Sequence, residues 1–156
     1  MGADLTQISL LTRREIEARI AGPLIRAFME EFGGEKVLEV ARKVISSMAR
    51  ESGLQLAKQM SDDSIRSFAK GLEAWGAGGA YEMVELELSD TRYFFDIKRC
   101  RYAEMYRGLG LQELGVTLSC GRDFELVKGF NPHMRLRRTK TIMENYDCCD
   151  FRITLD

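Results

Sequence analysis

Residues 76–98 read GAGGAYEMVELELSDTRYFFDIK, and within them the period of the apolar residues changes from about 3.6 to 2. The glycine-rich start ends a helical pattern. Apolar residues then alternate with mostly charged ones along residues 84–88 and 93–98, as in β-strands with one buried face. Residues 89–91, Ser-Asp-Thr, supply a turn. The stretch therefore predicts a β-hairpin that follows a helical half.

The N-terminal part, residues 9–76, is predicted to be helical. Thr12 and Glu15 have the spacing of a capping box, and apolar residues then recur every four positions as one stripe. This stripe consists of Ile16, Ile20, Leu24, Phe28 and Phe32. Because Gly22 and Pro23 interrupt it, we expect the first helix to kink or break near residue 20.

Two further helices are predicted before the glycine run. The second begins at Glu35, and its apolar face consists of Val37, Leu38, Ala41, Val44, Ile45 and Met48. Ser61 has the position of an N-cap for the third helix, and Asp62 and Asp63 suit its positive N-terminal end. The third helix is expected to bury Ile65, Phe68, Leu72 and Trp75.

Two more helices and a second hairpin are predicted to follow the first hairpin. One helix starts at about Cys100 and another runs from about Gln112 to Lys128; residues 134–142 are then expected to pair with residues 147–155. The order predicts an α+β fold with a helical N-terminal half. Two β-hairpins form an antiparallel sheet of about four strands, with two helices between the hairpins. We expect helices mainly on one face, and the other face to be partly solvated or used for homodimer formation.

Length and charge restrict the class of protein. The 156 residues fit a single domain, with a helical half at 9–76 and a sheet-containing half at 80–156 that carries the candidate site. Lysine plus arginine number 23 and aspartate plus glutamate 24, so no excess positive charge supports nucleic-acid binding. The first twenty residues are too charged for an export signal or a membrane span. We therefore expect a cytoplasmic protein with a small-molecule partner and neither nucleic-acid nor membrane partners.

The four cysteines occur without a CxxC pair, which disfavours zinc-ribbon and thioredoxin-like sites. A chain of this size has an adequate core, so free thiols are expected rather than disulfides. Cys100, Cys120, His133 and Cys149 match no familiar zinc spacing, and the GxSxG, GxxxxGK and GxGxxG motifs are absent from the sequence. We predict neither a metal nor a cofactor.

The last predicted strand places Cys149 and Phe151 on its inward face. If the preceding turn is symmetrical, Lys140 lies opposite Cys149 and Arg138 lies opposite Phe151. A cation beside a thiol stabilises the thiolate, and a buried cation needs an anionic partner or ligand. Alternatively, Cys149 is a packing residue, and the two cations extend to solvent or pair with Asp123.

Cys120 and Asp123 lie about one helical turn apart, so both project from the same helix face. A carboxylate raises the pKa of a neighbouring thiol, and Asp123 therefore suits proton transfer or substrate binding better than thiolate activation. The alternative is an ordinary amphipathic helix with a solvated Asp123. Cys100 ends a strand where a helix begins, and the helix dipole there lowers a thiol pKa modestly. Packing at this junction is the alternative for Cys100.

Four short motifs occur in order: CGRD at 120–123, FNP at 130–132, RRTKT at 137–141 and CDF at 149–151. Together they resemble the L-2-amino-thiazoline-4-carboxylic acid hydrolase family, which has a C-x-x-D helix, an F-N-P turn, an R-x-T strand and a closing C-D-F strand. The resemblance covers about residues 95–155. Asn145 stands where that family usually has glycine, and asparagine tolerates the same left-handed backbone.

The resemblance implies hydrolytic opening of a cyclic amidine thioether to a carbamoyl-cysteine, with water or a thiolate attacking the amidine carbon. It implies catalytic roles for Cys120 or Cys149 and for Asp123. The substrate-binding residues would be Arg138, which would hold the substrate carboxylate, Lys140, Thr139 and Cys100. A rival interpretation is a non-catalytic small-molecule sensing domain of the vinyl-reductase-related type. A third is a dimerisation or scaffold module.

Overall fold

A computed structural model describes residues 7–156. Residues 1–6, which belong to the stretch used above to predict cellular location, lie outside the described residues. The helical half consists of α1 (Leu10–Phe32), α2 (Gly34–Gln59), α3 (Ile65–Gly71) and a 3-10 segment at Leu72–Gly76. Within the described residues, each helix is too short or too polar to cross a membrane.

The second half contains the sheet and three helices. Its elements are β1 (Tyr81–Leu88), β2 (Arg92–Cys100), α4 (Arg101–Gly108), α5 (Gln112–Gly115), a π turn at Val116–Cys120, α6 (Arg122–Phe130), β3 (Met134–Arg137), a 3-10 segment at Ile142–Glu144 and β4 (Cys149–Leu155). The four strands are antiparallel in the order β1-β2-β4-β3. The predicted α+β fold, with helices between two hairpins, is confirmed.

The second hairpin has the predicted register but is shorter than predicted. Met134 pairs with Leu155 and Arg137 with Arg152, which is the alignment expected for a symmetrical turn. Strand β3 then ends, because the Asp150 carboxylate accepts the amide N–H groups of Thr139 and Lys140 at 2.8 and 2.6 Å. These bonds hold the chain away from the sheet ladder. Asn145 has the left-handed backbone expected for the turn, with φ of 70°.

The main core lies between the inner face of the sheet and the helices α3 and α6. The predicted inward residues of β2 and β4 are buried: Tyr93, Phe95, Ile97, Cys149, Phe151 and Ile153. Helix α3 buries Ile65 and Phe68, and the Phe68 ring meets the Phe130 ring of α6 edge-on at 5.0 Å. The first hairpin is less regular, because bulges in β1 leave Val84 and Leu86 exposed.

The first helix differs from its prediction in three respects. It begins at Leu10 with Ser9 as N-cap, whose hydroxyl accepts the N–H of Thr12 at 3.1 Å, so the capping box at Thr12 is wrong. It continues through Pro23 without the expected break. The apolar stripe is exposed at all five positions: Ile16, Ile20, Leu24, Phe28 and Phe32. The buried positions are Ala18 and Gly22 instead, because small residues allow close packing onto the rest of the molecule.

The N-cap of α3 is also displaced from the predicted position. Ser64, not Ser61, caps the helix by accepting the N–H of Ser67 at 3.2 Å. The Asp62 carboxylate accepts the N–H of Ser64 and the hydroxyl of Ser67 at 3.0 and 2.6 Å. Asp62 therefore joins the turn before the helix to Ser67 in the first turn of the helix.

Helices α2 and α6 cross in close backbone contact at two glycines. A Cβ atom on Gly53 would lie 2.2 Å from the carbonyl oxygen of Leu126, and one on Gly129 would lie 2.1 Å from the carbonyl oxygen of Arg50. Both obstacles are backbone atoms that cannot rotate away. Only glycine permits this crossing.

The outer face of the sheet is polar. Asp96 binds Arg152 at 2.9 Å and Lys98 at 3.0 Å across this face. These partly exposed ion pairs agree with the expectation of a partly solvated face. The expected homodimer stays a prediction.

We predict that Gly53→Ala destabilises the protein by about 1–3 kcal/mol or more, because the methyl group must displace the backbone of α6. Chemical denaturation would measure the change in unfolding free energy. The matched control is Gly108→Ala at the exposed end of α4, where a Cβ atom meets no atom within 4 Å. Equal stability of the two variants would contradict the close crossing.

Candidate functional site

A cavity of about 110 Å³ lies between the inner face of the sheet, α6 and the 3-10 segment at Leu72–Gly76. It is somewhat smaller than a roughly 150 Å³ engineered cavity known to hold benzene. Its apolar and aromatic walls are Leu10, Leu72, Trp75, Tyr81, Phe95, Ile97, Tyr102, Leu126 and Phe151. A few polar groups converge on it, as in binding sites for small molecules.

The cavity brings together five of the seven site residues predicted from sequence. They are Cys100, Cys120, Asp123, Arg138 and Cys149. Thr139 and Lys140 do not line it, because Asp150 holds both residues at the outer side of the sheet. The Lys140 ammonium lies 3.8 Å from Asp147, and so the expected approach of Lys140 to Cys149 does not occur. Cys148 is buried but outside the cavity, as expected for the opposite strand face.

Two tyrosines hold one wall of the cavity in place. The Tyr81 hydroxyl donates to the carbonyl oxygen of Leu72 at 3.1 Å, and the Tyr102 hydroxyl donates to that of Trp75 at 3.2 Å. Tyr81 lies at the start of β1 and Tyr102 in α4. The sheet and α4 therefore jointly position the 3-10 segment that supplies Leu72 and Trp75.

The helical stretch before α6 contains a π turn that the sequence analysis did not predict. The N–H of Gly121 donates to the carbonyl oxygen of Val116, five residues earlier, at 2.6 Å. The predicted single helix over 112–128 is thus divided into α5, the π turn and α6. π turns are frequent at functional sites, and this one places both Cys120 and Asp123 at the cavity.

The Arg138 guanidinium is held by two hydrogen-bond acceptors and two aromatic rings of the protein. It donates to the Asp123 carboxylate at 2.5 Å and to the carbonyl oxygen of Cys120 at 2.8 Å. It also lies over the rings of Phe124 and Phe151, with centroid distances of 5.1 and 5.0 Å. The side chain is only 4% exposed. The alternative in which Arg138 pairs with Asp123 is therefore the observed arrangement.

Burial controls the proton affinity of the cavity's acid groups. Loss of solvation raises the pKa of the Asp123 carboxyl above its ordinary value, although the Arg138 guanidinium favours the ionised form. Burial also raises the pKa of the Cys149 thiol to about 11 and raises the pKa of the Cys120 and Cys100 thiols. The thiols are therefore protonated at neutral pH, and the expected thiolate is not favoured.

Two arginines that line the cavity, Arg14 and Arg122, were not predicted from the sequence as site residues. Arg122 is the first residue of α6 and is 6% exposed. Arg14 extends from α1 and bonds to Glu17 at 2.6 Å. Arg122 stands between Cys120 and Asp123 in the CGRD motif, but its position in the motif gives no sign of a role in the site. Only the tertiary structure shows that Arg122 lines the same cavity as Arg14 of α1.

The cavity contains thiols but no evident metal centre. Within the part of the chain that the structure describes, no three His, Cys, Asp or Glu side chains lie close enough together to hold a metal ion. All four cysteines, each within that part, are free thiols.

Comparison of the sequence with family models identifies one match. The model described as L-2-amino-thiazoline-4-carboxylic acid hydrolase matches residues 13–153. Comparison with curated proteins finds no match. The family model thus extends over the helical half as well as the motifs of the C-terminal half.

Two solved structures share the fold. One is the phenol-responsive sensory domain of the transcription activator PoxR with phenol, with 13% identity, a TM-score of 0.56, and coverage of 86% of this chain and 72% of that chain. The other is a trafficking protein particle complex subunit 3 from Naegleria fowleri, covalently bound to palmitic acid. It has 12% identity, a TM-score of 0.54, and coverage of 93% of this chain and 96% of that chain. At these identities the likeness concerns the fold alone.

We predict that alkylation of Cys149 by iodoacetamide accelerates with pH without levelling off through at least pH 10, because burial raises the pKa of this thiol to about 11. Mass spectrometry of a Cys148→Ala variant would resolve the site, with circular dichroism to confirm folding at each pH. Free glutathione is the control, since an unperturbed thiol levels off above its pKa of about 8.5. A plateau for Cys149 below pH 8 would show a reactive thiolate instead.

Proposed function

Because the chain belongs to the L-2-amino-thiazoline-4-carboxylic acid hydrolase family, we propose that its cavity binds a small cyclic amidine carboxylate of that kind and opens the ring by hydrolysis. The product would be a carbamoyl-cysteine. The observation that carries this proposal is the Asp123–Arg138 ion pair in an otherwise mainly apolar cavity. A carboxylate held there is desolvated, oriented and able to transfer protons.

Asp123 is the proposed proton-transfer group. Its raised pKa makes the carboxylate a stronger proton acceptor than an exposed aspartate, and Arg138 keeps it oriented. As water attacks the amidine carbon, Asp123 accepts one proton from that water. The bond between this carbon and the ring sulfur then breaks, the same proton passes to the leaving sulfur, and the second proton of the water ends on the ring nitrogen as the carbonyl group forms. One water is consumed, and the product carries a free thiol.

Water is favoured over a thiolate as the attacking group. The raised pKa values of Cys120 and Cys149 would make formation of either thiolate costly at neutral pH. The nucleophilic role expected for one of these thiols stays a prediction. Protonated thiols and the rings of Phe95 and Phe151 would instead contact the sulfur-containing ring of the substrate.

A sensing domain without catalysis is the second candidate. Two observations favour it: the cavity is closely lined by apolar groups, and a fold relative is the phenol-responsive domain of a transcription activator. In that case the same cavity would bind a small ring compound, and Asp123 would serve only to neutralise Arg138. Binding without chemical conversion distinguishes this candidate from the hydrolase.

We predict that the wild-type protein converts L-2-amino-thiazoline-4-carboxylate to a carbamoyl-cysteine, and that Asp123→Asn lowers turnover by about 100-fold or more, the usual range for loss of general acid–base catalysis. Chromatography of the product and thiol titration would measure turnover. Asp90→Asn is the matched control, since Asp90 is an exposed residue that pairs with Arg66. Binding of the thiazoline by wild type without any product would contradict the hydrolase and support the sensing domain.

The pH profile gives a separate prediction. Asp123 must be ionised to accept a proton, so kcat/KM should fall as the pH falls through its folded-state pKa. Because burial raises that pKa, the decline should begin above the pH range of an ordinary aspartate. The decline should be absent from the residual activity of Asp123→Asn. An unchanged profile in that variant would assign proton transfer to another group.

A further inference from the structure

The Arg122 guanidinium is a charged group of the cavity that has no role in the proposed proton transfer. It is nearly buried and lines the cavity. Among the residues that the structure describes, no carboxylate lies within 4 Å of it, and no hydrogen bond from it is found; each of the other buried or half-buried charges of this cavity has a partner. A guanidinium that is 6% exposed and has no counter-ion is costly, because its N–H donors have lost most of their contact with water.

The second arginine of the cavity does not relieve this cost. Arg14 donates to both Glu17 oxygens, at 2.9 and 2.6 Å, and is thereby neutralised. Burial lowers the pKa of Arg122, and the positive charge of Arg14 lowers it further, whereas Glu17 and Asp123 act in the opposite direction. Arg14 and Arg122 both line the cavity. Arg14, Glu17 and Arg122 together leave one net positive charge at this wall of the cavity.

The other cation is not available to a ligand. Arg138 is neutralised by Asp123, bonded to the Cys120 carbonyl and covered by two aromatic rings. The cavity lining therefore contains the Arg138–Asp123 pair, Arg14 neutralised by Glu17, and Arg122, which has no ion pair among the described residues. The other lining residues are mainly apolar and aromatic. A ligand that matches this cavity has a single anionic group at one end of a small ring.

We propose that Arg122 is the anion-binding residue of the cavity and selects small ring compounds that carry one carboxylate. The planar guanidinium presents paired N–H donors that match a carboxylate. This inference rests on the proposed function, since it names the residue that would hold the carboxylate of the substrate. It moves that role from Arg138, where the sequence placed it, to Arg122.

Two matched pairs of probes separate this proposal from the hydrolase activity. The first pair is L-2-amino-thiazoline-4-carboxylate and 2-amino-2-thiazoline, which lacks the carboxylate. The second is thiophene-2-carboxylate and thiophene-2-carboxamide, neither of which can be hydrolysed by ring opening in this way. Isothermal titration calorimetry would measure all four affinities for wild type, for Arg122→Gln and for the conservative Arg122→Lys.

We expect the wild-type protein to bind each carboxylate about tenfold or more tightly than its neutral partner, as a charge-assisted hydrogen bond requires. Arg122→Gln should lose this preference while its affinity for the neutral probes is unchanged. Arg122→Lys should keep part of the preference. The matched control is Arg42→Gln, which removes the same charge from the exposed face of α2.

The possible failures are distinguishable. Absence of any carboxylate preference in the wild-type protein would overturn the role of Arg122, as would an unchanged preference in a folded Arg122→Gln. Turnover of the thiazoline with an unchanged KM in Arg122→Gln would also overturn it while leaving the hydrolase standing. A carboxylate preference that Arg122→Gln abolishes, without turnover of the thiazoline, would support Arg122 and overturn the hydrolase.

Discussion

The close crossing of α2 and α6 is the constraint on which the candidate site depends. Gly53 and Gly129 allow the two backbones to approach so closely that a methyl group on either would overlap a carbonyl oxygen of the other helix. Helix α6 begins with Arg122 and Asp123. Its position against α2 therefore determines how deeply these two side chains reach toward the inner face of the sheet.

Exclusion of water then decides the chemistry of the cavity. The same desolvation that raises the pKa of the Cys149 thiol strengthens the attraction between Asp123 and Arg138, because both effects follow from a low local dielectric constant. A site built this way favours a polarised carboxylate over a thiolate. It also makes Arg122, which has no ion pair within residues 7–156, the proposed point of attraction for an anionic ligand.

Several elements could be predicted because their signals are local. The alternation along 84–98 predicts the first hairpin, and the register of the second hairpin follows from its turn. The inward positions of Cys149 and Phe151 follow from the two-residue period of a strand. The stripe from Ile16 to Phe32 is exposed, which its periodicity could not show. Apolar periodicity identifies a helix face, but whether that face is covered depends on how the other elements pack.

The sequence by itself determined the α+β order of the elements, the family resemblance and the group of thiol, carboxylate and guanidinium residues in the C-terminal half. These depend on residue type and short-range spacing. Only the tertiary structure decided that Thr139 and Lys140 lie outside the cavity, that Arg138 is neutralised by Asp123, and that Arg122 and Arg14 of α1 line the same cavity. Each of these depends on contacts between residues distant in sequence, and burial, which sets their charge, arises only when the elements pack together.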